Sequence, residues 1–285
     1  MRSIGWRFFT LGWLILLAGC ATDVSLSGKN KSTEANRIQF QRMGSAPESG
    51  AADVTSLDLQ PGDILLSSST GINSLGIRIF SLAPVSHAAI YLGEEQVAEA
   101  TSTGVNIVSL NEAIDHNTAV IAFRYPGLTP EHAAKLREFA LDKEGSDYNF
   151  GGIVLIAPYM ITKRICELPL FNATVRNHCL SLLATVQLGD GGSLTEDQRF
   201  FCSQFVLEAY NYAGHPISDS NPVWITPADL LHMREGDSSS FRSNQPLSYI
   251  GHLKQRSSLF TGNKGLAMNN ADTLLEDKSP RMLSQ

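Results

Sequence analysis

Three short segments carry side chains that could act together as a nucleophile, its base and an orienting carboxylate. The segments place His87 in PVSHAAIYLG, Glu99 in QVAEAT and, far downstream, Cys202 in FFCSQFV. A cysteine thiolate can attack a carbonyl carbon, a neighbouring histidine can take the thiol proton, and a carboxylate can hold the imidazole in the required tautomer. The three residue types therefore predict covalent catalysis, with the order His, Glu, Cys along the chain.

Cys202 is predicted to begin a helix. The pattern predicts a helix from Cys202 to Ala213 that Gly214 ends, and at helical spacing Cys202 shares one apolar face with Val206 and Ala209. A cysteine in the first helical turn lies at the positive end of the helix dipole, which stabilises a thiolate, and its backbone N–H could stabilise an oxyanion. The alternative is an inert buried cysteine.

The spacing of His87 and Glu99 sets a geometric condition. Both have odd numbers, so in a hairpin they share a face only if the loop between the strands holds an odd number of residues. A loop of residues 92–94 places them directly opposite each other, and a loop of residues 93–95 makes them diagonal neighbours. A two-residue turn would put them on opposite faces. Gly93 suits the left-handed conformation that such a loop needs.

The strands and helices predicted around these residues indicate an α+β fold. Strand patterns cover residues 63–67, 86–92, 96–101, 105–110, 119–125 and 248–254, and the four strands from 86 to 125 are predicted to form an antiparallel meander. Helices are predicted over 73–82, from Thr129-Pro130 to about 143, over 202–213 and over 228–233, with an irregular, partly helical insertion at 146–198. Strands first and helices on their flanks favour an antiparallel sheet or barrel flanked by helices.

The chain begins with a targeting pattern. Arg2 and Arg7 precede a short apolar run that ends in Leu17-Ala18-Gly19-Cys20. This tetrapeptide resembles the lipobox of bacterial lipoproteins, which predicts a signal peptide at 1–19 and lipidation of Cys20; an ordinary signal peptide or signal anchor is the alternative. Because Ala21 follows, and not aspartate, the resemblance implies the inner leaflet of the outer membrane, facing the periplasm.

The rest of the chain divides by composition. Residues 20–53 are predicted to be the lipidated cysteine and a flexible tether that spans about 30 Å. Residues 54–255 are predicted to form one catalytic domain, and 256–285 to be a polar, disordered tail. Without residues 1–19 the chain has 20 basic and 28 acidic residues in no basic cluster, which argues against a nucleic-acid partner.

Three cysteines remain after Cys20. Cys166 and Cys179 could form a disulfide, which would leave Cys202 as the odd thiol in an oxidising compartment; two buried apolar cysteines are the alternative. The histidines show no metal-ligand spacing, so no metal and no other cofactor are predicted. Tyr148 is a candidate substrate-binding residue, and a packing tyrosine is the alternative.

The ordered set of motifs resembles a known family. LQPGDILLS, SHAAIYLGEEQVAE, GSDYN and FCSQFV resemble the circularly permuted branch of the NlpC-type papain-like superfamily, in particular its YaeF/YiiX-like cysteine peptidases, and the lipobox points to the YaeF-type lipoproteins. Members carry a histidine on one strand, a polar residue on the next, and the cysteine after both. The resemblance implies a permuted papain-like fold and assigns Cys202 as nucleophile, His87 as general base and acid, and Glu99 as the residue that orients His87.

The predicted site and the family resemblance are compatible with three functions. The first is a cysteine hydrolase of a peptide or amide, with cell-wall peptide as the substrate that fits the location and a membrane bound through the lipid anchor. The second is a lipid-directed acyltransferase or thioesterase, because lecithin–retinol acyltransferases share the permuted arrangement. The third is a non-catalytic binding lipoprotein, against which the intact His87, Glu99 and Cys202 argue.

Overall fold

The structure is a computed structural model. It describes residues 22–25, 37–42, 44–47, 50–68, 84–147, 158–159, 162–163, 165–167, 173–188 and 201–255. The helix predicted at 73–82, the lipidation site Cys20, Tyr148 and the tail at 256–285 lie outside the described residues.

A six-stranded antiparallel sheet forms the centre of the domain, with the strand order β6-β5-β4-β3-β7-β8. Its strands are β3 (Ile64–Ser68), β4 (His87–Gly93), β5 (Gln96–Thr101), β6 (Gly104–Ser109), β7 (Ala119–Arg124) and β8 (Ser248–Lys254). Each lies within one or two residues of a predicted strand. Two further strands, β1 (Thr22–Ser25) and β2 (Arg37–Phe40), pair with each other.

The predicted meander is correct for three of its four strands and wrong for the last. β4 pairs with β5 and β5 with β6, as expected. β7 does not pair with β6; it pairs with β3, along the edge of β3 that faces away from β4. Between β6 and β7 the chain forms helix α1 (Leu110–Asp115), which carries it from one edge of the sheet back toward β3. The Ser109 hydroxyl caps this helix by accepting from the Glu112 N–H. β3 is buried along its whole length and needs a neighbour on each side.

Further helices follow α1 among the described residues. They are α2 (Pro130–Lys143), α3 (Ala173–Leu188) within the predicted insertion, α4 (Cys202–Tyr212) and α5 (Pro227–His232), with short 3-10 helices at Ser56–Asp58 and Pro222–Trp224. Thr129 and Thr226 cap α2 and α5, each followed by proline in the first turn, as the sequence predicts. Gly214, with a positive φ of 76°, follows the end of α4.

The two faces of the sheet contribute to two apolar clusters. In β4 and β5, even-numbered residues such as Ala88 and Ile90 pack with Phe205 and Val206 of α4. Odd-numbered residues such as Ala89, Tyr91 and Val97 pack with Leu110 and Ala113 of α1. The sheet is thereby covered on both sides, and α4 is fixed along its length by the larger cluster.

Part of the segment predicted as a tether packs against the domain. The Val54 N–H donates to the His252 carbonyl at 3.0 Å, and the His252 N–H donates to Ala52 at 2.7 Å. Arg234, whose side chain is 2% exposed, donates to the carbonyls of Gly44 and Ser45. Residues 44–45 therefore contact Arg234, which follows α5, and residues 52–54 lie along β8. Among the described residues no helix is long and apolar enough to cross a membrane.

Candidate active site

The β4–β5 hairpin brings His87 and Glu99 to one face of the sheet. Glu99 pairs with Ala89, which makes it a diagonal neighbour of His87. The turn itself has only two residues, Glu94 and Glu95, both with positive φ. A register shift between Tyr91 and Gly93 supplies the additional residue that restores the shared face.

This geometry refines the condition set by the sequence. The diagonal arrangement is one of the two expected, but it arises from a two-residue turn plus a bulge and not from a three-residue loop. Gly93, with φ of 87°, takes the left-handed conformation expected of it at the bulge. A side chain there would lie close to Pro61, since a Cβ would come within 3.0 Å of its ring.

His87 and Glu99 are in direct contact. The His87 Nε2 lies 2.7 Å from the Glu99 Oε2, and the two side chains are 19% and 13% exposed. A carboxylate so little exposed needs such a partner, because its desolvation is otherwise unfavourable. With Nε2 facing the carboxylate, Nδ1 is the nitrogen left for the sulfur.

Cys202 completes the group. It is the first residue of α4, is 3% exposed, and is the free cysteine of the described residues. Its thiol lies beside the His87 imidazole and raises the pKa of that ring. Both residues begin their elements, Cys202 its helix and His87 its strand, so the contact forms at the end of the sheet. One turn along, Val206 and Ala209 hold the helix on the apolar cluster.

The electrostatics of the site favour a protonated imidazole. Burial alone lowers the pKa of His87, but the hydrogen bonds and charges of Cys202 and Glu99 outweigh it and raise the pKa to about 10. Burial also raises the pKa of Glu99, yet the hydrogen bond and charge of His87, with a contribution from His116, lower it below its ordinary value. At neutral pH the site therefore holds an imidazolium between the Cys202 sulfur and the Glu99 carboxylate.

The other two cysteines are joined. A disulfide links Cys166 to Cys179 on α3, with the Cα atoms 5.6 Å apart. Cys166 is 1% exposed and belongs to the main apolar cluster. The bond secures α3 to the segment that precedes it and leaves the thiol of Cys202 unpaired.

Two predicted features remain predictions. Tyr148 and Cys20 lie outside the described residues, so the structure assigns neither a contact. Within the described parts of the chain no cluster of three or more His, Cys, Asp or Glu residues could hold a metal ion.

Sequence reasoning missed several neighbours of the site. Ser203, next to Cys202, donates to the Ile225 carbonyl at 2.7 Å, and Lys163 of the insertion forms a buried ion pair with Asp229. These contacts join residues 22 and 66 positions apart, so no local spacing indicates them.

Comparison with known proteins identifies the family. Residues 58–154, which include His87 and Glu99, match the family described as permuted papain-like amidase enzymes, YaeF/YiiX, C92 family. The chain is 43% identical over 245 residues to the probable lipoprotein peptidase YaeF of Escherichia coli K12, a match that covers 84% of this chain and 89% of that protein. The chain belongs to this family.

Membership establishes the fold class and the enzyme class. The fold is permuted papain-like and α+β, with five of the six strands of the antiparallel sheet preceding the helix that carries Cys202. The chain is a cysteine peptidase or amidase. It also matches the crystal structure of the E. coli O157:H7 metalloprotein YiiX, with 18% identity, a TM-score of 0.40, and coverage of 68% of this chain and 97% of that one.

Proposed function

We propose that this enzyme hydrolyses a peptide or other amide bond by a Cys-His-Glu thiolate mechanism. The observation that carries the proposal is that the His87 Nε2 lies 2.7 Å from the Glu99 carboxylate, with the thiol of Cys202 near enough to the imidazole to raise its pKa. The raised pKa of His87 keeps the imidazole protonated at neutral pH. An imidazolium beside the sulfur and the positive end of a helix both stabilise a thiolate.

The reaction follows from these positions. The thiolate of Cys202 attacks the substrate carbonyl, and the negative charge that develops on oxygen is stabilised by the Cys202 backbone N–H, which in the first helical turn has no partner within the helix. His87 donates its proton to the leaving nitrogen, and the amine departs. Water, deprotonated by His87, then attacks the thioester and releases the acid. Glu99 keeps the imidazole oriented and compensates its charge in each step.

The proposed cellular location limits the class of substrate that the enzyme can reach. The similar YaeF protein is named a probable lipoprotein, and Cys20 of this chain closes a lipobox-like tetrapeptide. A lipidated Cys20 would hold the domain at the inner leaflet of the outer membrane, facing the periplasm, where a disulfide such as Cys166–Cys179 can persist. Cell-wall peptides are amides within reach of such an enzyme. We therefore propose them as the substrate class.

One observation favours a second candidate, a lipid-directed acyltransferase or thioesterase. The insertion exposes large apolar side chains: Ile165 is 61% exposed, Leu182 60% and Val186 75%. Helix α3 carries a single charged residue, Arg176, which is buried. Such a surface suits contact with acyl chains.

The two candidates are separated by the acyl group found on the enzyme. The full chain is incubated with muropeptides or with phospholipid vesicles, quenched with acid, and examined by intact-mass and peptide-mapping mass spectrometry. Peptidyl adducts on Cys202 and released amine support the amidase, and fatty-acyl adducts support the second candidate. An adduct that persists in Cys202→Ala would contradict both mechanisms.

A further inference from the structure

A buried ion pair connects the insertion to the first turn of helix α5. The Lys163 Nζ lies 2.8 and 2.9 Å from the two carboxylate oxygens of Asp229, and both side chains are less than 10% exposed. Glu167, also buried, lies 3.9 Å from the same amine. Charges are rarely buried without a specific arrangement that compensates them. Lys163 is therefore fixed in one position by its partners.

Asp229 uses the same carboxylate to hold the start of α5. Its Oδ2 accepts from the Thr226 N–H at 2.9 Å and from the Thr226 hydroxyl at 2.7 Å. The hydroxyl in turn accepts from the Asp229 N–H at 3.3 Å, which completes a capping box. The position of the Asp229 carboxylate thus determines the path of the backbone at residues 225–226.

Residues 223–225 contact the residues on either side of the nucleophile, beginning with Ile225. Its carbonyl accepts from the Ser203 hydroxyl at 2.7 Å, and Ser203 is 3% exposed. Just before it, Val223 and Trp224 pack against Phe201. Phe201 and Ser203 are the immediate neighbours of Cys202, so segment 222–226 supports the first turn of α4 from one side.

We infer that Lys163 is a positioning residue for Cys202, acting through Asp229, residues 225–226 and Ser203. This inference rests on the proposed catalytic pairing of Cys202 with His87. The insertion then has a role in catalysis, because it holds the segment that keeps the thiol in line with the imidazole. A shift of about 1 Å in such a contact can lower a rate by about a hundredfold.

The test measures the reactivity of the thiol in the folded protein. The rate constant for alkylation of Cys202 by iodoacetamide at pH 7 is determined by peptide mapping in the full chain, for wild type, Lys163→Met and Ser203→Ala. Lys135→Met is the matched control, because Lys135 forms an exposed pair with Glu131 on α2. Each variant is also combined with His87→Ala, and circular dichroism confirms the folded fraction.

Lys163→Met and Ser203→Ala are expected to lower the alkylation rate about tenfold or more, whereas Lys135→Met leaves it unchanged. In both variants the further loss caused by His87→Ala should be smaller than in wild type, because the pairing is already weakened. A merely structural ion pair would lower the melting temperature without changing this dependence on His87. If Lys163→Met does not fold, Ser203→Ala decides.

The outcomes distinguish this inference from the proposed function. If His87→Ala leaves the wild-type rate unchanged, the catalytic pairing itself is wrong. If the wild-type rate depends on His87 and folded Ser203→Ala or Lys163→Met retains the full rate and the full dependence, only the positioning role is overturned.

Discussion

Replacing Glu99 with glutamine tests how the site raises the pKa of His87. Glutamine keeps the shape of the side chain and can still accept from the imidazole, but it removes the charge 2.7 Å from Nε2. The two side chains are 19% and 13% exposed, so solvent screens the interaction little. A hydrogen bond to a charged group contributes about 1.5–3 kcal/mol and a neutral one about 0.5–1.5 kcal/mol. The difference of about 1–2 kcal/mol corresponds to a loss of roughly 5- to 30-fold in kcat.

The same substitution should move the pH profile in a defined direction. Wild-type His87, with its pKa at about 10, stays protonated through the neutral range, so amide hydrolysis should fall only as the pH rises through about 10. Loss of the Glu99 charge lowers the pKa of His87 and should move this alkaline limb down by about one pH unit. The assay is hydrolysis of a chromogenic peptide anilide from pH 5 to 11, because the leaving nitrogen needs the proton.

Glu95→Gln is the matched control, because Glu95 is an exposed carboxylate in the turn of the same hairpin. It should leave both kcat and the alkaline limb unchanged. The reasoning is refuted if Glu99→Gln keeps the wild-type limb at about pH 10 and the wild-type kcat while remaining folded.

Three further substitutions test the scaffold by thermal or urea unfolding of the full chain. Cys179→Ser opens the loop closed with Cys166, 13 positions away, and should lower the free energy of unfolding by about 3 kcal/mol. Gly251→Ala would place a Cβ 2.4 Å from the Val54 Cγ1 and should destabilise by about 1–3 kcal/mol, with protease access near residue 50 increased. Tyr210→Phe removes a buried hydroxyl that donates to a backbone carbonyl and should lower the free energy of unfolding by about 1–2 kcal/mol.

Each of these substitutions has a control at an exposed or open position. Thr185→Ala alters the outer surface of α3, Gly44→Ala adds a Cβ with no atom within 4 Å, and Tyr212→Phe removes a hydroxyl on an exposed side chain. If a control lowers the free energy of unfolding as much as its test variant does, the buried contact is not the cause of the loss of stability.

The elements around the site could be predicted from local patterns. The strands that carry His87 and Glu99 are bounded by turns, and the helix that begins at Cys202 ends before Gly214. The shared face of His87 and Glu99 followed from residue parity, although the bulge near Gly93 that provides it left no clear mark in the sequence.

Long-range pairing could not be predicted in the same way. β7 pairs with β3 across about 55 residues of sequence, a choice decided by the burial of β3 on both sides and not by any turn. The ion pair between Lys163 and Asp229 depends equally on tertiary packing. The packing of residues 52–54 against β8 was hidden by a polar composition typical of a linker.

The central claim is that Cys202 is a nucleophile activated by His87. Its most direct test is labelling of the full chain with an acyl-type cysteine probe, followed by peptide mapping and measurement of the labelling rate. The account predicts label at Cys202 in wild type and a rate lower by about a hundredfold or more in folded His87→Ala. Labelling at the same rate without His87, or a wild-type protein whose Cys202 takes no label, would contradict it.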